Sequence, residues 1–159
     1  PSMDRIVTVS GDAVHEPGNF KVPFGMNQAE LIEAAGGYKV DPEKIISGGP
    51  MMGFSMFTVD VPVTKTSSSI LCFTKDEVAQ YEPTACINCG RCVEVCPSRL
   101  IPSRLADYAE HHDEEAFTKH EGLECMECGS CSYVCPAKRQ LKQAIGSMRK
   151  TALANRKKK

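Results

Sequence analysis

Cys86-Ile-Asn-Cys89-Gly-Arg-Cys92-Val-Glu-Val-Cys96-Pro97 is matched in spacing by Cys125-Met-Glu-Cys128-Gly-Ser-Cys131-Ser-Tyr-Val-Cys135-Pro136. Both runs read C-x2-C-x2-C-x3-C-P, the spacing that wraps a cubic [4Fe–4S] cluster. Such a cube needs a thiolate on each of its four irons. Three closely spaced cysteines reach three corners, and the fourth must come from elsewhere in the chain. In two-cluster proteins of this spacing the last Cys of each run ligates the other cluster. The expected sets are therefore Cys86, Cys89, Cys92 and Cys135 for cluster 1, and Cys125, Cys128, Cys131 and Cys96 for cluster 2. This crossing ties the runs together and keeps the clusters within range for electron transfer.

Other uses of these cysteines fit less well. Structural zinc usually pairs two C-x2-C halves across a longer loop, whereas here a third and fourth thiol follow at once, twice. A disulfide framework implies an oxidising compartment, and no signal peptide opens the sequence. Gly90 and Gly129 follow the second cysteine of each run, where a side chain is expected to obstruct the backbone's approach to the cube. Backbone N–H groups there are placed to donate to cluster sulfurs. Pro97 and Pro136 turn the chain after each last cysteine.

Composition sets the bounds. The 159 residues suit one medium domain or two small ones, with 42% hydrophobic and 25% charged residues. No stretch approaches the ~20 apolar residues of a membrane-spanning helix. The formal charge is −1. Eight thiolates and two oxidised cores take it to about −5. Charge is uneven: no acidic side chain follows Glu127, while Lys138, Arg139, Lys142, Arg149, Lys150 and Arg156 to Lys159 are basic. The sequence begins at Pro1 without Met, which suggests a processed or excised segment.

Upstream of the runs, residues 1–58 read as a β-grasp unit. Ile6, Val7 and Val9 mark a first strand, and Phe20 to Phe24 a second, with Pro23 favouring a sheet edge. Asn27 is placed to cap a helix, with Glu30 completing a capping-box pattern. Leu31, Ile32, Ala34 and Ala35 form its apolar stripe, and Gly36-Gly37 ends it. Lys44 to Ser47 is a returning strand. Residues 59–78 are expected as a β-rich connector with strands at Val59 to Val63 and Ser69 to Phe73. Cys72, the ninth cysteine, lies in the latter and reads as a buried apolar thiol. Residues 79–159 form the cluster domain, led in by a short helix near Lys75 to Tyr81.

The insert between the runs decides the architecture of that domain. Pro102 suits a first helical position, and Ile101, Leu105, Tyr108 and Ala109 recur at helical spacing. Asp113 caps a second helix carrying Phe117, stopped by Gly122. Leu141, Ile145, Met148 and Ala152 line one face of a third. The fold class is α+β: a β-grasp domain followed by an α-helical two-cluster domain. His111 and His112 read as exposed helix-end residues, since eight cysteines already fill eight corners. No nucleophile arrangement and no phosphate-binding glycine loop stands out, so no catalytic residue is assigned.

Taken together, the motifs resemble the C subunit of the Rnf electron-transport complex, a membrane-bound, ion-translocating ferredoxin:NAD oxidoreductase. Val7-Thr-Val-Ser-Gly-Asp12, Ala34-Ala-Gly-Gly37 and Gly48-Gly-Pro-Met-Met-Gly-Phe54 are similar to its SLBB β-grasp module, and the two cysteine runs to its dicluster ferredoxin module. The resemblance implies an electron-relay role in an oxidoreductase and translocase. It implies partners among the integral membrane and iron–sulfur subunits, with ferredoxin a further candidate, and no nucleic acid. It also implies peripheral attachment to the cytoplasmic face of a prokaryotic inner membrane. FMN and NADH are expected only on the family's preceding module, which this sequence lacks. Two other readings stand beside it. One is a cobalamin-reductase-like flavin and iron–sulfur protein whose β-grasp unit holds a corrinoid, with His15 available. The other is a structural zinc protein. Residues 155–159 are expected as a basic tail, with Lys142, Arg149, Lys150 and Arg156 projecting towards anionic lipid or an acidic subunit.

Overall fold

The computed structural model describes residues 2–157. These form two compact units, divided between Gln80 and Tyr81.

The first unit is a five-stranded mixed sheet carrying one α-helix, and it ends in a 3-10 turn at Glu77–Gln80, where the sequence predicts a short helix leading into the second unit. Its strands are β1 (Asp4–Ser10), β2 (Gly18–Pro23), β3 (Lys44–Ser47), β4 (Phe54–Met56) and β5 (Ser69–Phe73). The spatial order is β2-β1-β5-β3-β4, with β5 inserted between the first and third strands. β1 pairs antiparallel with β2 (Val7 opposite Phe20) and parallel with β5 (Val9 opposite Ile70). β3 pairs antiparallel with both β5 and β4. Alternation along β1 sends Val7 and Val9 into the core and Ile6 to solvent. Helix α1 (Gln28–Ala34) buries Leu31 and Ile32, and Ala35 at its end packs into the same core with Val22, Ile70 and Cys72. Asn27 caps it, its side chain accepting from the Ala29 N–H at 2.9 Å. Gly36 and Gly37, both at positive φ, end it. Ala34 is exposed and lies off the buried stripe.

Two expectations change here. Residues 59–78 are not a separate connector: they supply the central strand β5 and the buried Val63, so the first unit runs to Gln80. Val59 to Val63 forms no strand. Its backbone instead ties down the start of α1, with Gln28 N–H donating to Val61 and Val63 N–H donating to Met26. β1 ends where the chain presses against β5. A Cβ on Gly11 would lie 1.9 Å from the Cys72 carbonyl oxygen, so only glycine fits. The next residue fastens the two strands, because the Asp12 carboxylate accepts from the Thr74 N–H at 2.9 Å and from its hydroxyl. That hydroxyl donation holds the Asp12 carboxyl below its usual range.

The second unit is helical: α2 (Arg91–Glu94), α3 (Pro102–Glu110), α4 (Glu114–Lys119), α5 (Ser130–Tyr133) and α6 (Leu141–Arg156). Pro102 opens α3, and Asp113 caps α4 by accepting from the Ala116 N–H at 2.9 Å. Leu105, Ala106 and Phe117 meet Leu141, Ile145 and Met148 in one core, against which Cys92, Cys96, Cys125 and Cys135 pack. His111 and His112 are exposed at the end of α3. Among the described residues, no helix is long and apolar enough to cross a membrane.

Candidate metal centre

Both runs fold the same way. Gly90 and Gly129 take φ of 77° and 85°, the left-handed region that costs glycine least, and so open α2 and α5. A Cβ on Gly90 meets no protein atom within 4 Å, so the need for glycine on the protein side is conformational rather than steric. One turn of helix then presents the third and fourth cysteines of each run. Asn88 and Glu127, and further along Arg99 and Lys138, also take positive φ at equivalent positions.

The thiols gather around two pockets. One is lined by Cys86, Cys89, Cys92 and Cys135, the other by Cys125, Cys128, Cys131 and Cys96. Each pocket thus holds three thiols of one run and the last thiol of the other. Four thiols lining each pocket match the four corners of a four-iron cube.

Backbone and hydroxyl groups already address the sulfurs. Leu100 N–H donates to Cys96 Sγ at 3.3 Å, and Glu127 N–H to Cys125 Sγ at 3.4 Å. The Ser130 hydroxyl, 3.6 Å from Cys128 Sγ, helps its backbone N–H hold that thiol below its usual range. Burial pushes the Cys131 thiol up to about 11 and raises Cys125. Burial thus opposes loss of the proton from these two sulfurs.

Several neighbours escaped the sequence reading. Arg139 lines the first pocket and donates Nη2 to Asp107 at 2.8 Å and to Glu110 at 3.0 Å on α3. Burial alone would lower its pKa, but the two carboxylates hold it above the ordinary arginine value. Glu127 lines the second pocket and pairs with Arg149 at 3.4 Å, while Lys142 lines the same pocket. Arg149 is therefore engaged inside the unit rather than projecting outward as expected; Lys142 is half-buried, and Lys150 and Arg156 are exposed. Only the long spacing between partners connects these pairs, and no local pattern announces it. Lys158 and Lys159 lie outside the described residues. In the first unit His15 is exposed on the loop facing Gly36.

The family of SLBB domains matches residues 6–55, and the family of 4Fe-4S dicluster domains matches residues 85–139. The chain is 42% identical over 158 residues to the C subunit of the Na(+)-translocating ferredoxin:NAD(+) oxidoreductase complex of Acetobacterium woodii, covering 99% of this chain and 36% of that protein. It is 46% identical over 106 residues to the proton-translocating counterpart of Clostridium ljungdahlii, covering 67% of this chain and 23% of the other. It is 40% identical over 121 residues to the C subunit of the ion-translocating oxidoreductase complex of Yersinia enterocolitica, covering 76% and 17%. The chain therefore spans well under half the length of these relatives. The second unit is a module for two [4Fe–4S] clusters, and the first is a β-grasp SLBB domain. On both domains and on these relatives, the chain belongs to the family of C subunits of Rnf-type, ion-translocating ferredoxin:NAD(+) oxidoreductase complexes.

Proposed function

We propose that this chain is a one-electron relay within such a complex, with cluster 1 held by Cys86, Cys89, Cys92 and Cys135 and cluster 2 by Cys125, Cys128, Cys131 and Cys96. The observation that carries the reading is the partition of eight thiols between two pockets, each drawing its fourth thiol from the other run. The bound cubes supply one-electron redox chemistry. The protein's part is geometric and electrostatic. α2 and α5 fix the sulfurs, the crossed runs keep the pockets adjacent, and N–H groups directed at sulfur favour the reduced state. The partners are the other subunits of the complex, integral membrane and iron–sulfur, with ferredoxin as a donor or acceptor. On this reading FMN and NADH bind on a module other than the two described here. The chain is peripheral, at the cytoplasmic face of the cell membrane.

Iron and acid-labile sulfide on anaerobically prepared protein test the central claim. About eight of each per chain are expected for two cubes. Stoichiometric zinc without sulfide would overturn it.

A further inference from the structure

The two pockets are alike in backbone and unlike in charge. Before the second thiol of its run, the first pocket has neutral Asn88 and the second has Glu127, both at left-handed φ. Glu127 is held in place. Its N–H addresses Cys125 Sγ, its carboxylate meets Arg149 Nη1 at 3.4 Å, and it lies flat on α6 at Gly146, where a Cβ would come within 3.0 Å of Oε2. Arg149 is fixed in turn by donating Nε to the Leu123 carbonyl at 2.9 Å. The charged side chain lining the first pocket is instead the cationic Arg139.

Which charges dominate depends on shielding, because solvent-exposed charges are screened and buried ones much less so. The Arg139 and Glu127 side chains are 12% and 24% exposed, whereas Asp107 and Glu110, which neutralise Arg139, are 51% and 52% exposed. Arg149 weakens Glu127 without lining the pocket, and the cationic Lys142, which does line it, opposes it. Burial favours the same ranking: Cys86 and Cys89 are exposed, while Cys131 is buried. Adding an electron to an already anionic cluster is harder away from water.

We propose that Glu127 makes cluster 2 the low-potential centre of the pair, and that Arg139, opposite neutral Asn88, makes cluster 1 the high-potential one where the first electron rests. This rests on the ligand sets proposed above. Each cluster takes one electron, from the 2+ to the 1+ core, supplied in the test by dithionite.

The test is an EPR-monitored redox titration of the whole chain with both clusters loaded. Glu127→Gln should shift the lower wave positive and leave the upper one in place. Arg139→Gln should shift the upper wave negative, and Lys142→Gln should move the lower wave further down. If Glu127→Gln moves the upper wave, or neither, with iron and sulfide intact, the assignment fails. Should that variant lose a cluster, Arg139→Gln decides alone: an upper wave moving negative supports the ranking, and any other result overturns it. Failure of the ligand reading itself would appear separately, as wild-type iron and sulfide content below two cubes.

Discussion

Cys96 and Cys135 each stand at the end of one run and at the wall of the other run's pocket. Cys96→Ala should therefore damage the cluster built on Cys125, Cys128 and Cys131, leaving an open corner and a three-iron or labile cluster visible by EPR. An effect like that of Cys89→Ala would instead mean that each run ligates its own cube. Cys72 is the ninth cysteine and serves the fold. It has no exposed surface, and burial pushes its thiol up to about 11. Burial likewise raises the Tyr38 hydroxyl to about 12; it lies close to Cys72 without a well-formed hydrogen bond. Both values exceed the ordinary 9.0 and 10.0, so the folded unit prefers the protonated forms. By linkage, this stability is complete below about pH 9 and is lost as pH rises through 11, by about 3 kcal/mol for Cys72. Protection of Cys72 from a maleimide pulse in urea should hold steady to pH 9 and weaken above it. A flat profile would show that ionising this thiol carries no weight.

At the scale of elements, α6 does two jobs. Leu141, Ile145, Met148 and Ala152 close the core, while Arg149 reaches back to Glu127 beside the second pocket. Its last turn is also fastened, because Asn155 Nδ2 donates to Glu114 at 2.7 Å. A tail deletion that leaves the fold intact should therefore begin after Arg156, not at Asn155. Removing residues 157–159 is expected to preserve both clusters and weaken sedimentation with anionic vesicles at low salt, at up to ~1 kcal/mol per basic residue. Equal binding with and without them would take the tail out of membrane association. Helices and strands with local signals were legible in the sequence: Asn27 and Asp113 as caps, Pro102 as a helix opener, and the period of Leu141, Ile145 and Met148. β4 was not legible, because Phe54–Met56 is three residues whose status as a strand comes from pairing with β3. The place of β5 in the sheet was hidden for the same reason, as were the Arg139 and Glu127 ion pairs. Each depends on a partner distant in the chain.

At the scale of the molecule, the two units have separate cores. The first rests on Val7, Val9, Leu31 and Ile70, with no ligand cysteine among its residues. The second includes Cys131 in its core and packs four more ligand cysteines against it, and α2 and α5 are only four residues each, too short to persist without support. Stripping iron with a chelator under reducing conditions should therefore raise hydrogen exchange through residues 86–96 and 125–135 while β1 and β5 keep their protection. Collapse of protection in the sheet as well would show that the units share their stability.

The position of β5 also has a consequence during synthesis. The strand that joins β1 to β3 is the last of its unit to be made, so a nascent chain halted before Ser69 holds two half-sheets with nothing between them. Once Phe73 has left the ribosome, the sheet can close, and that moment precedes the emergence of Cys86. Domains generally fold as units from the N-terminal end during translation. The thiols of the second unit are thus made only after every strand of the first.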